Sequence, residues 1–252
     1  MPSDETPSSA IILAAGVGRR LGATDPHPKI LLEFGGQTLL ARHLAALARN
    51  GVESVSITVG FMREMIEDEV ERLGWSNRVR FIENPRYREG SLVSLAVQAE
   101  RLRAGRPVLL MDGDVLYDHR MIRPLIDAPG ENILLLDRDI EPGDEPVKIC
   151  IKDDQIVDFR KKPEHAHDWH GESVGFFRFS GAMAAALADC CVAHVNAGRT
   201  NLEYEEAIRD LILAHPARFN AVEVTALPWI EIDFEADVVK ARHDVLPQLQ
   251  PT

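Results

Sequence analysis

Cysteine is scarce in this chain. The three cysteines among 252 residues are Cys150, Cys190 and Cys191, an odd number with two adjacent. That excludes a disulfide framework and leads us to expect a reducing, cytoplasmic setting. No apolar run approaches the length of a membrane span, so no membrane partner is expected. The opening "MPSDETPSS" has neither a basic region nor an apolar core, and reads as a polar lead-in over 1–9 rather than an export signal. Basic residues are outnumbered: 28 Lys and Arg face 40 Asp and Glu, for a formal net charge of −12. A general nucleic-acid binder needs a basic face, and that class is excluded. Aromatics are few, with three Trp, three Tyr and nine Phe. We find no internal repeat and no low-complexity linker.

What remains is an ordinary globular balance, 45% hydrophobic and 27% charged, long enough for one large α/β domain. Residues 10–13 read as a buried strand running into glycine. "TLLARHLAALARNG" places Leu39, Leu40, Leu44 and Leu47 on one helical stripe, closed by Gly51. Strand and helix patterns alternate to about residue 136, which predicts a mostly parallel sheet flanked by helices. The pattern then changes. "VKICIKDDQIVDFRKK" reads as a hairpin turning at Asp153-Asp154. "ESVGFFRFS" is another strand, two helices follow, and "PWIEIDF" is a late strand before a closing helix. We expect one domain over 10–252, with a nucleotide-binding half at 10–136 and a smaller, β-rich acceptor-binding half at 137–252.

"IILAAGVGRRLG" is a strand, a glycine turn and two arginines. Backbone N–H groups in such a turn can cradle phosphate. The P-loop pattern is absent, and the dinucleotide fingerprint fails at Leu21. A bare G-x-G with solvated arginines is also an ordinary surface turn. The longer run "LAAGVGRRLG…PKILLEFGGQTLL" resembles the signature of the sugar-phosphate and phosphocholine cytidylyltransferase-like nucleotidyltransferases. Leu13, Ala14, Ala15, Gly16, Gly18, Arg20, Leu21, Pro28 and Lys29 fall in register with it. The resemblance implies a Rossmann-like α/β fold whose loop wraps an NTP, with Arg19, Arg20 and Lys29 near its phosphates and Arg20 and Lys29 as catalytic residues. Local positive charge then makes sense in an acidic chain, because fields are screened beyond roughly 8–10 Å.

"MDGDVLYD" places Asp112 and Asp114 two apart after an apolar strand, so both would project to one side if the strand continued. Two such carboxylates suit Mg²⁺, although Asp-Gly-Asp is also a common turn. The resemblance makes Asp114 a metal ligand and gives Asp112 a less certain nucleotide-side role. It matches Asp233 in "PWIEIDFEADVVKA" to the second metal ligand. "ENPRYREGSLVSL" resembles the base-reading segment of bacterial phosphocholine cytidylyltransferases, offering Asn84, Gly90 and Ser91. Lys148, Lys161 and Glu172 are the corresponding acceptor-side candidates.

A phosphate monoester is mostly ionised at neutral pH and needs no histidine base. The expected reaction is attack of a phosphate or phosphonate oxygen on the α-phosphorus of an NTP, CTP for preference, with release of pyrophosphate. Phosphocholine, aminoethylphosphonate and inositol phosphate are candidate acceptors. Choline would ask for an aromatic box; Glu172, Glu203 and Glu205 could instead hold a primary ammonium or sugar hydroxyls. Competing readings are a sugar-1-phosphate uridylyl-, thymidylyl- or guanylyltransferase, a catalytically silent nucleotide sensor and a Rossmann oxidoreductase. "PEHAHDWH", with His165, His167 and His170, has metal-like spacing, but with no cysteine or second ligand pair beside it the segment reads as a solvated loop rather than a metal site. A homo-oligomer is compatible with the sequence.

Overall fold

The computed structural model describes residues 7–18, 27–140 and 145–250. Arg19, Arg20 and Leu21 lie outside them. In chain order the strands are β1 (Ser9–Leu13), β2 (Glu33–Phe34), β3 (Gln37–Thr38), β4 (Ser54–Val59), β5 (Val79–Glu83), β6 (Val108–Asp112), β7 (Val115–Tyr117), β8 (Asn132–Asp137), β9 (Lys148–Lys152), β10 (Gln155–Arg160), β11 (Trp169–Phe179), β12 (Phe219–Glu223) and β13 (Trp229–Glu231). The helices are α1 (Leu39–Arg49), α2 (Arg63–Arg72), α3 (Ser91–Ala96), α4 (Ala99–Leu102), α5 (Ile122–Asp127), α6 (Gly181–Asn196), α7 (Tyr204–Ala214) and α8 (Glu235–Lys240).

Among the described residues the central sheet has nine strands. β6, β1, β4 and β5 run parallel side by side, as the β-α alternation predicts. β11 joins this block antiparallel. Its last residues pair with β6, its first residues with β9, and its other edge with β8. β8 therefore has β11, a strand from late in the chain, between it and the parallel block. β12 extends β8 in parallel. No strand is expected at 219–223 from the sequence, because "FNAVE" has neither clean alternation nor an apolar run. The fold is α/β, with a mixed, mostly parallel sheet flanked by helices.

Apolar clusters cover both faces of the sheet. The α1 stripe is buried, and the Thr38 hydroxyl caps it by accepting from the Ala41 N–H. The β9–β10 turn places Asp153 and Asp154 at φ 49° and 60°, the paired left-handed geometry of a tight hairpin. The helical run from Ser91 to Leu102 is interrupted between α3 and α4. There Gln98 is buried, accepting from Ser56 and donating to Thr58 of β4. Buried Asp158 of β10 takes the Arg209 guanidinium at 2.6 Å and the backbone N–H groups of Glu164 and His165, so it fixes α7 against the sheet. Among the described residues no helix is long and apolar enough to cross a membrane.

Candidate active site

The site grows out of the carboxyl ends of β1 and β6, where open α/β sheets bind ligands. Leu13 and Asp112 are register partners, and the Gly113 N–H donates to the Leu13 carbonyl at 3.0 Å. The glycine turn and the Asp-Gly-Asp turn therefore leave the sheet together. β13 then pairs antiparallel with β7, with Glu231 opposite Val115. The Ile232 N–H donates to the Asp114 carbonyl at 3.0 Å, and this register carries Asp233 to the side of Asp114.

Lys29 closes the group. Its ammonium donates to Asp114 Oδ2 at 2.9 Å and to Asp233 Oδ1 at 2.6 Å. Burial works against the charged form, but Asp114 and Asp233 outweigh it, and the lysine pKa is raised. One carboxylate oxygen each from Asp114, Glu231 and Asp233 lie within 4.8 Å of one another. With Glu231 beside the two aspartates that hold Lys29, three hard oxygen donors are gathered where a divalent cation could bind.

Asp112 has a different environment. The strand ends at Asp112, so the two aspartates of the motif do not act as an adjacent pair: Asp114 meets Lys29, while Asp112 accepts from the Tyr204 hydroxyl at 2.6 Å. Burial, with Glu205 and Asp114 nearby, holds the Asp112 carboxyl well above the usual range. Gly175 makes space for it: at φ +77° a Cβ would sit 2.3 Å from Asp112 Oδ2. His43 of α1 is buried against Tyr117 and Phe176, and its Nε2 lies 3.2 Å from the Gly113 carbonyl. Burial pushes its pKa down to about 4, so at neutral pH it is an uncharged donor steadying the turn. The sequence reading missed His43; the signal was a polar residue inside an otherwise apolar helical stripe.

A cleft of about 530 Å³ lies over the glycine turn, of a size suited to a small ligand such as a nucleotide. Leu13, Ala14, Gly16, Gly18, Lys29, Gly90, Ser91, Asp114 and Asp233 all line it. A second lobe of about 340 Å³ continues past Ala15, Asp112 and Lys161. Gly90 and Ser91 also dock the loop before α7. The Gly90 N–H donates to Thr200, a Cβ there would fall 2.0 Å from the Leu202 carbonyl, and the Ser91 hydroxyl accepts from the Tyr204 N–H.

Three sequence candidates do not reach the lining. Asn84 is fully buried, donating to Ser94 and accepting from the Arg86 N–H, and so shapes the loop from beneath. Lys148 donates to the Pro146 and Lys161 carbonyls. Glu172 sits opposite Lys148 in the sheet, its pKa pushed up to about 7 by burial and Asp137 against the pull of Lys148. Lys161 does face the second lobe, 3.3 Å from both Glu145 and Glu203. His165 contacts Asp158, and His167 contacts His170.

The chain is 25% identical over 249 residues to the CMP-5'-(3-aminopropyl)phosphonate synthase of Streptomyces rubellomurinus, covering 93% of this chain and 38% of that protein. It is 26% identical over 240 residues to the bifunctional IPC transferase and DIPP synthase of Thermococcus kodakarensis, covering 94% of this chain and 50% of that protein. The chain thus spans half or less of the length of these two relatives. In fold it is similar to the inositol-1-phosphate CTP transferase of T. maritima, with a TM-score of 0.76 and 18% identity over 97% of this chain and 96% of that one. A model of the MobA-like NTP transferase domain matches residues 10–155. That match spans more than half of the sequence and contains the glycine turn, Lys29 and the Asp-Gly-Asp turn: the chain belongs to the MobA-like NTP transferase domain family.

Proposed function

We propose that the protein transfers a nucleotidyl group, cytidylyl for preference, from an NTP to a small phosphomonoester or phosphonate and releases pyrophosphate. The observation that carries this reading is Lys29 held between Asp114 and Asp233 at the floor of a cleft walled by the glycine turn. The names of the two sequence relatives support a phosphate or phosphonate acceptor and, in one case, a CMP product.

The carboxylates of Asp114, Glu231 and Asp233 fit Mg²⁺, since they supply hard oxygens and carry more negative charge than Lys29 offsets. Bound there, Mg²⁺ would neutralise charge on the α-phosphate. Lys29 moves its ammonium from the aspartates to the α-phosphate oxygen on which charge develops. The backbone of the glycine turn holds the leaving pyrophosphate, with Arg19 and Arg20 next in the chain. An acceptor oxygen in the second lobe attacks in line: its bond to the α-phosphorus forms as the α–β bridging bond breaks and the electron pair leaves with pyrophosphate. No side-chain base is required, because the acceptor is already ionised.

Pyrophosphate release measured with each of four NTPs against a panel of phosphomonoesters and phosphonates tests the reading. The expected result is release that needs Mg²⁺, an NTP and an acceptor, with the highest kcat/KM for CTP. Release at the same rate without acceptor would sink the transfer reading; a kcat/KM for UTP, dTTP or GTP at or above that for CTP would sink the cytidylyl part.

A further inference from the structure

The second lobe is acidic in a way the reaction itself does not require. Beyond the carboxylates that fit Mg²⁺, Glu145, Glu203 and Glu205 line it, and Lys161 is the cation among them. Lys161 is shared between Glu145 and Glu203 at 3.3 Å each. Glu205 is left over. Its Oε2 is buried from solvent and has no hydrogen-bond partner among the described residues. A buried carboxyl oxygen without a partner costs free energy unless something that binds there supplies one. Glu205 stands in the first turn of α7, which the Asp158–Arg209 pair anchors, so it cannot easily turn away to water.

Two aromatic residues line this lobe, Tyr87 and Tyr204: Arg88 lies over the Tyr87 ring at 5.3 Å, and the Tyr204 hydroxyl is held by Asp112. Farther off, Arg138 covers the face of Trp169 at 4.2 Å, and Trp229 donates its indole N–H to Asp137 at 2.6 Å. Phe176 and Phe177 are fully buried. A quaternary ammonium, which has no N–H and is held over aromatic faces, finds no cage among these residues. A primary ammonium brings three N–H donors and a positive charge, matching an unpartnered carboxylate oxygen in an acidic wall. A neutral hydroxyl would fill the hydrogen bond but bring no positive charge to the acidic wall.

We propose that Glu205, flanked by Glu203 and Glu145, recognises a primary ammonium group, so that the acceptor is an aminoalkyl phosphonate or aminoalkyl phosphate. This rests on the nucleotidyl-transfer reading above. The second lobe reaches from Asp114 and Asp233 to Glu145 and Lys161, so one small zwitterion can place its phosphorus end at the reacting centre and its ammonium at Glu205.

The test compares 2-aminoethylphosphonate, 2-hydroxyethylphosphonate and phosphocholine as acceptors with CTP and Mg²⁺. The amine is expected to exceed the hydroxyl analogue in kcat/KM by about 10–100-fold, the range of a charge-assisted hydrogen bond. In Glu205→Gln that ratio is expected to fall towards one, and Glu203→Gln to lower it in part, with circular dichroism confirming that both variants fold. Equal kcat/KM for the amine and either comparison acceptor overturns the proposal while leaving nucleotidyl transfer intact, and so does an unchanged ratio in Glu205→Gln. If no acceptor gives pyrophosphate, the transfer reading has failed. Calorimetry of the two phosphonates on wild type and Glu205→Gln then decides the ammonium site alone: tighter binding of the amine that Glu205→Gln abolishes supports it, and no difference overturns it.

Discussion

Two lysines sit at opposite ends of one cleft, each between two carboxylates. Lys29 is drawn tightly to Asp114 and Asp233, at 2.9 and 2.6 Å, with its side chain 17% exposed. Lys161 lies 3.3 Å from Glu145 and Glu203, with its side chain 31% exposed and its partners about half exposed. The first group is assembled by strand register at the floor of the sheet; the second bridges a loop, a strand end and the start of α7. Similar chemistry in a stiff and in a looser setting should serve different ends. The rigid group suits a step that tolerates little misplacement, and the looser one suits admitting and sorting an acceptor.

The largest expected effect tests the rigid end. Asp114→Asn and Asp233→Asn should each abolish Mg²⁺-dependent pyrophosphate release, whereas Asp112→Asn, whose carboxyl faces Tyr204, should do less. Full activity of Asp233→Asn at limiting Mg²⁺ would make the β7–β13 register a purely structural feature. Next, Lys29→Ala should lower kcat by about 10²–10³, the usual effect of losing a donor aimed at developing charge. Lys161→Ala should act mainly on the acceptor KM, by about tenfold, as loss of one charge-assisted hydrogen bond would. Similar kcat losses in the two lysine variants would erase the contrast between the ends.

Two smaller effects sharpen the comparison through stability. Tyr204→Phe removes the donor to Asp112 and should cost about 1–3 kcal/mol in chemical denaturation, because a buried carboxyl is left unpartnered. A denaturation midpoint equal to wild type would show that water replaces the hydroxyl. Glu172 has its pKa raised from 4.5 to about 7 by burial and Asp137. A carboxyl with a raised folded-state pKa contributes its full stabilisation below pH 4.5 and loses it as pH climbs through about 7. Glu172→Gln should therefore gain on wild type between pH 5 and pH 8, by on the order of 1 kcal/mol after solvent screening. A difference in denaturation midpoint that stays constant over that interval would remove Glu172 from the account.

The parallel block, the α1 stripe and the Asp153-Asp154 hairpin were legible because each rests on local rules: apolar periodicity, a closing glycine and turn residues that tolerate positive φ. The glycine turn, Lys29 and Asp114 were legible as a motif, and Asp233 only through resemblance. Nothing local tells that "WIE" will pair with "VLY" in the register that sets Asp233 beside Asp114. The insertion of β11 between β6 and β8, the spacing that Gly175 leaves for Asp112, and the support of Gly113 by His43 are equally non-local. Asn84 shows the converse: a motif position whose amide the fold turns inward to Ser94. By itself the sequence determined which residue types were available for phosphate and cation chemistry, and which segments of the parallel block would be strands and helices, since these depend on neighbours along the chain. Only the tertiary structure decided which carboxylates share Lys29 and which oxygen, that of Glu205, is buried without a donor. Those outcomes depend on strand register and helix packing, where a shift of one residue turns a side chain to the opposite face.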